Sequence, residues 1–115
     1  MMGLAQAFTP LQSGKVRLTL SGSAFNGTLG DGGAVRLAYG TGTAPTNAAA
    51  LTGTNCSAFQ NFTSTSAGAP LPFSTQCIIS GLTKGTAYWW DAQLRANTGG
   101  TASITQLSAT AEEVP

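Results

Sequence analysis

The chain has 115 residues, which fits a single domain spanning residues 1–115. Only 8% of the residues are charged, against about 25% in a typical soluble domain. With a net charge of +1 and scattered basic residues, the chain offers no patch for nucleic acid, and no stretch approaches the roughly 20 apolar residues that span a bilayer. These features exclude nucleic-acid and membrane partners and, because low net charge weakens repulsion between copies, favour self-association.

The first 15 residues, MMGLAQAFTPLQSGK, have no basic region before an apolar core and no small-residue cleavage site. A secretory signal peptide needs these features, so we predict that the chain has none. The chain is then expected to be made in the cytoplasm and to leave the cell by some other route.

Two strands are predicted in the first third of the chain. In KVRLTLSGSAF, Val16, Leu18 and Leu20 alternate with polar residues, and AVRLAYG places Val35, Leu37 and Tyr39 opposite Arg36. The intervening FNGTLGDGG has Asn-Gly and Asp-Gly steps that accept the positive φ angles of a tight turn. We therefore expect these strands to be neighbours in one sheet.

The middle of the chain, residues 41–72, gives no clear pairing, and TNAAALTG (residues 46–53) is its one helix candidate, of a turn or two at most. Three more strands are predicted in STQCIISGL, TAYWWDAQLRA and TASITQLSATA, which we interpret as an antiparallel meander. Short strands with turn signals about every ten residues, and almost no helix signals, predict an all-β sandwich or small barrel.

The adjacent tryptophans should point to opposite faces of their strand. Trp90 shares its face with Tyr88 and Leu94 and is predicted to lie in the core, whereas Trp89 shares the other face with polar residues. Two alternatives follow for Trp89: either a loop from the middle region covers it, or it belongs to an interface with a subunit or host surface. In the second case the interface residues would be Trp89, Gln93 and Arg95.

The chain lacks the groups that usually support catalysis. It has no histidine, and its four carboxylates (Asp31, Asp91, Glu112 and Glu113) lie in a turn, on an outer strand face and at the tail. We therefore expect a protein that is not an enzyme, with no catalytic residues, cofactor or metal.

Cys56 and Cys77 are too few for a four-ligand zinc site in a chain without histidine. They would form an intrachain disulfide that ties the middle region to a core strand, or stay reduced as small apolar side chains. The sequence leaves both alternatives open.

The segment GLTKGTAY (residues 81–88), followed by an alternating strand, an NTGG turn and a Ser/Thr-rich last strand, resembles the tyrosine corner and last strands of fibronectin type III domains. The resemblance implies that the Tyr88 hydroxyl hydrogen-bonds back to the backbone near Leu82. It also suggests an alternative function, a fibronectin-III-like or carbohydrate-binding adhesion module that uses exposed aromatic residues such as Trp89.

The same segment and NGTLGDGGAVRLAYGTGTAPTNAAALTG (residues 26–53) resemble small Gly/Thr/Ala-rich structural proteins of tailed bacteriophages, which serve as capsid decoration, head-fibre or tail-fibre components. This resemblance implies an antiparallel β-sandwich that is jelly-roll-like rather than immunoglobulin- or fibronectin-III-like. It also implies a homo-oligomer, often a trimer, that is made in the host cytoplasm without a signal peptide, joins capsid or tail proteins in the virion and is released by lysis. A non-enzymatic virion structural protein is thus the leading functional prediction.

Overall fold

The computed structural model describes residues 1–64 and 68–115, whose regular structure consists of eight β-strands. The strands are β1 (Gln6–Phe8), β2 (Val16–Asn26), β3 (Gly32–Gly40), β4 (Thr54–Asn55), β5 (Gln60–Thr63), β6 (Leu71–Ile79), β7 (Tyr88–Ala96) and β8 (Ala102–Glu113). All five predicted strands are present, because each is marked by a local alternation of apolar and polar residues.

The strands form two antiparallel sheets that pack as a sandwich, which confirms the predicted all-β sandwich. The five-stranded sheet has the order β1-β7-β3-β4, with β5 also pairing with β3, and the three-stranded sheet has the order β6-β2-β8. The preference for a jelly-roll-like over an immunoglobulin-like topology stays a prediction. The core between the sheets consists of Val16, Leu18, Leu20, Ala24, Val35, Leu37, Phe73, Cys77, Ile79, Trp90, Ala92 and Ile104.

The prediction that β2 and β3 are neighbours in one sheet is wrong. Both edges of β2 are already taken, since β6 pairs with residues 16–24 on one side and β8 pairs along the strand on the other. The side chain of Asn26, fully buried at the end of β2, donates hydrogen bonds to Gly32 O at 3.1 Å and Gly99 O at 2.9 Å. These bonds hold the connection as an arch from one sheet to the other.

The predicted C-terminal meander is also wrong, because β6, β7 and β8 alternate between the sheets. The β7–β8 connection crosses the end of the sandwich beside Asn26, where a Cβ on Gly100 would lie 2.3 Å from Asn26 Oδ1. Glycine at position 100, with a φ of +65°, therefore permits this close approach. Short turns alone do not reveal whether successive strands pair or cross.

The middle region contributes two short strands, β4 and β5, which both pair with β3. The helix candidate at residues 46–53 forms a single turn instead, in which Ala49 N donates to Thr46 O at 3.2 Å. This region serves mainly as cover for the five-stranded sheet.

Cys56 and Cys77 form a disulfide with a Cα–Cα distance of 5.8 Å. Cys77 lies on β6, at the edge of the three-stranded sheet, whereas Cys56 N donates to Leu37 O beside the edge of the five-stranded sheet. The bond therefore joins the two sheets along one side of the sandwich.

Candidate functional site

The outer face of β7 carries Trp89, Asp91, Gln93 and Arg95, and the sequence places Trp89 among polar residues on this face. In the structure the first three are buried, with exposed fractions of 7%, 1% and 1%, and only Arg95 is exposed. Backbone bonds tie the N-terminal residues to this area: Met2 N donates to Ala92 O and Ala48 N donates to Met1 O, both at 3.0 Å. The N-terminal segment and the loop after β3 thus cover most of this face.

Trp89 is covered by the loop that follows β3, the first of its two sequence alternatives. Its indole packs against two glycines: an added Cβ would lie 2.7 Å from the ring at Gly40 and 2.5 Å from it at Gly53. Its Nε1 donates a hydrogen bond to Thr41 O at 3.1 Å. Trp89 is therefore an internal residue of this face and not an exposed anchor for a partner.

Asp91 is held as an acceptor for the N-terminal segment. Its carboxylate accepts hydrogen bonds from the backbone N–H groups of Gly3 at 2.8 Å, Leu4 at 3.1 Å and Ala92 at 2.8 Å. A buried carboxylate requires such donors, because desolvation penalises an unpaired charge. These contacts give Asp91 a structural role.

Gln93 links the covering loop to β3. Its Nε2 donates to Thr52 O at 3.2 Å, and its Oε1 accepts a hydrogen bond from Arg36 Nε. Arg36 lies directly opposite Gln93 in the strand register. A buried amide therefore fixes the orientation of the half-buried Arg36 side chain.

Two arginines contact one aromatic ring on the same face. The guanidinium carbons of Arg36 and Arg95 lie 4.0 and 4.1 Å from the centroid of Phe59. Phe59 directly precedes β5, whose Gln60 pairs with Val35, so the ring lies beside Arg36. Arg95 lies opposite Ala34 in the strand register. We call these three residues the Arg36–Phe59–Arg95 cluster.

The cluster has no acidic partner among the described residues, in which the one ion pair joins Arg17 and Glu112 at 2.8 Å on the other sheet. Two of the other carboxylates are occupied elsewhere. Asp91 binds backbone N–H groups, and Asp31 accepts a hydrogen bond from the Thr98 hydroxyl. The cluster is thus a local concentration of positive charge in a chain with few charges.

Glu113, at the C-terminal end of β8, binds the loop that precedes β2. Its carboxylate accepts hydrogen bonds from four successive backbone N–H groups, at residues 11–14, with distances from 2.8 to 3.2 Å. The bonds from Leu11 and Gln12 contribute most to lowering the pKa of Glu113 from 4.5 to about 2. Glu113 therefore ties the end of β8 to the loop that precedes β2.

The side of the sandwich opposite the disulfide is only partly closed. A groove of about 860 Å³ lies between the end of β7 and the start of β8, and its apolar lining includes Phe25, Leu94 and Ile104. A smaller cavity of about 320 Å³ lies between β1 and the end of β8, near Ala111 and Glu113. Both openings border β8.

Within residues 1–64 and 68–115, histidine, cysteine and acidic side chains form no group of three or more that could hold a metal ion. The same residues contain no helix that is long and apolar enough to cross a membrane. Comparisons of the chain with protein-family models, with curated proteins and with solved structures find no match.

The structure brings together two of the three residues predicted for an interface: Gln93 and Arg95 meet around Arg36, whereas Trp89 lies apart from them under its loop. Arg36 and Phe59 were not among the residues predicted for an interface. The alternation in β3 already placed Arg36 on the outer face, but nothing local indicated that Phe59 would reach the same place. The hydrogen bond from Thr83 N to Tyr88 Oη, at 2.9 Å, matches the one implied by the fibronectin-III resemblance.

Proposed function

We propose that this chain is a non-enzymatic structural protein of a tailed-phage particle, a capsid decoration or a head- or tail-fibre component, that works as a homo-oligomer. The phage assignment rests on the resemblance of this Gly/Thr/Ala-rich sequence to small structural proteins of tailed bacteriophages. The observation that supports assembly is the open edge of β8, which among the described residues pairs only with β2.

The β8 edge has little of the protection that isolated sheets usually carry. Proteins block their edges with lysine, proline, bulges or very short strands. With 12 residues, β8 exceeds the usual strand length, and it contains no lysine or proline. The pairing of β8 with β2 has one irregularity, a shift in register near Gln106. Residues 107–113 therefore remain as an uninterrupted segment with charges only at Glu112 and Glu113.

A second copy of the chain fits this edge. If two β8 strands pair antiparallel about Thr110, residues 107–113 of each copy pair with the same residues of the other. Glu112 then lies opposite Ser108 of the partner subunit, so the acidic residues do not face one another. The added strand would also lie beside the smaller cavity, which borders Ala111 and Glu113.

A lysine at the centre of this pairing tests the proposal. We expect the wild-type chain to sediment as an oligomer and Thr110→Lys to sediment as a monomer, because the two lysines would face each other across the symmetry axis. Gln76→Lys is a matched control, since Gln76 and Thr110 flank Thr19 on the two sides of the same exposed face. A monomeric wild type, or equal dissociation by both substitutions, would refute assembly through β8.

The particle assignment needs a separate test. Co-sedimentation of the chain with purified capsids or tails of its phage would support it, as would a neighbouring gene for a major capsid or tail protein. A flanking gene for a glycoside hydrolase and no binding to particles would favour the adhesion-module alternative. The Tyr88 hydrogen bond favours that alternative, whereas the burial of Trp89 removes the aromatic residue expected to contact glycans.

A further inference from the structure

The Arg36–Phe59–Arg95 cluster holds two guanidinium groups close together without an opposing carboxylate among the described residues. We propose that this cluster is a binding site for a doubly charged tetrahedral oxyanion, the class that contains phosphate monoesters, inorganic phosphate and sulfate. The proposal goes beyond self-association, because the cluster lies on the five-stranded sheet and β8 belongs to the other sheet.

The distances of the two arginines from the shared Phe59 ring limit the distance between them. Since both guanidinium carbons lie near one ring centroid, their separation cannot exceed about 8.1 Å, the sum of the two distances. A tetrahedral anion has several acceptor oxygens and can receive hydrogen bonds from both groups at once. Guanidinium groups suit such oxyanions because their N–H donors point outward in a planar fork.

The donors on these arginines remain available. Arg36 uses its Nε for Gln93, and neither its terminal nitrogens nor the side-chain nitrogens of Arg95 donate to an acceptor within the described residues. Buried Gln93 fixes Arg36, and contact with the Phe59 ring restricts both side chains. Because both side chains are already restrained, ligand binding costs little further conformational entropy, which favours affinity.

The two positive charges of the cluster favour a doubly charged ligand over a singly charged one. Two like charges held this close repel each other, and a ligand with two negative charges offsets both. A singly charged anion of the same shape offsets only one. We therefore expect the site to discriminate by ligand charge more than by ligand size.

The test is a titration followed by ¹H–¹⁵N NMR of the arginine Nε–Hε groups, at constant ionic strength with chloride as the baseline. The probes are inorganic sulfate, methyl phosphate and methyl sulfate, the last being a singly charged match for methyl phosphate in shape. At about pH 8, where a phosphate monoester with a second pKa of about 6 is a dianion, we expect saturable shifts of Arg36 and Arg95 with methyl phosphate. At about pH 5 this binding should weaken, whereas sulfate binding should not.

Variants distinguish a specific binding site from nonspecific electrostatic attraction to the protein. Arg36→Gln or Arg95→Gln should weaken binding of methyl phosphate at least tenfold, the loss expected for a charge-assisted hydrogen bond. Arg17→Gln removes the same charge from the other sheet and should leave binding unchanged. Phe59→Leu keeps both charges but removes the ring, and should weaken binding to an intermediate degree. If Arg36→Gln does not fold, Arg95→Gln carries the test, because Arg95 is exposed.

Several results would overturn the proposal: shifts that do not saturate, methyl sulfate binding as tightly as methyl phosphate at about pH 8, or Arg17→Gln weakening binding as much as Arg95→Gln. Tighter binding of methyl phosphate than of sulfate would identify an ester as the ligand. The reverse order would identify a free ion, and both orders support the site. A failure here leaves assembly through β8 untouched, because that is measured by sedimentation.

Discussion

At the scale of single residues, Trp89 is buried because Gly40 and Gly53 leave the space that its indole occupies. Across the strand pair, the large side chain of β7 lies over a residue of β3 that has no side chain. Gly40 does not have a positive φ, so its role is to leave room for the ring and not to permit an unusual backbone. Position 40 therefore tests the packing of Trp89 directly.

We expect Gly40→Ala to destabilise the fold by about 1–3 kcal/mol, because the new methyl group would overlap the Trp89 ring. The measurement is the free energy of unfolding from chemical denaturation. In a Trp89→Ala background the same substitution should cost much less, since the ring is gone. Gly27→Ala is the control, because a Cβ there has open space around it. Equal costs of Gly40→Ala in both backgrounds would contradict this account.

At the scale of elements, the ends of strands are fixed by side chains that bind distant backbone. Glu113 ties β8 to residues 11–14, Asp91 ties β7 to the N-terminal segment, and Asn26 joins three loops at the end of β2. The contacts of Glu113 with Ser13, Asp91 with Gly3 and Asn26 with Gly99 join residues 100, 88 and 73 positions apart, so they have no local signature. The alternation of apolar residues predicts the strands themselves, but these contacts and the strand pairing decide where each strand goes.

The Glu113 contact makes one end of the molecule sensitive to acid. Because folding lowers the pKa of Glu113 from 4.5 to about 2, its stabilisation is complete above pH 4.5 and is lost as the pH falls towards 2. We expect the amide chemical shifts of residues 11–14 to change in this window with a midpoint near the lowered pKa.

The variant Glu113→Gln should abolish this transition, and the control Glu112→Gln should keep it, since Glu112 pairs with Arg17 instead. NMR titration of the two variants and the wild type measures the effect. A midpoint near 4.5 in the wild type would show that the loop does not bind the carboxylate in solution.

At the scale of the whole molecule, the two sides of the sandwich are closed by different means. The disulfide between Cys56 and Cys77, 21 residues apart in sequence, joins the sheets on one side, whereas noncovalent contacts leave openings beside β8 on the other. One side of the sandwich is therefore covalently fixed, and the other is only partly closed.

We expect reduction of the disulfide to lower the free energy of unfolding by about 3 kcal/mol, because the cross-link restricts the unfolded chain. Denaturation with and without reductant measures the effect, and a Cys56→Ser, Cys77→Ser double variant should not respond to the reductant. Thiol labelling that modifies both cysteines in denaturant without reductant would show that the bond is absent.

The sequence predicts the all-β class, the positions of the five long strands and the inward direction of Trp90, because local alternation of apolar and polar residues encodes all three. It left the cysteine pairing open, and it could not specify that β2 and β3 separate, that a loop covers Trp89 or that Phe59 meets Arg36 and Arg95. These points depend on contacts between distant parts of the chain. Strand pairing depends on which edges remain free once every strand is placed, and the packing of a face depends on residues far away in the chain.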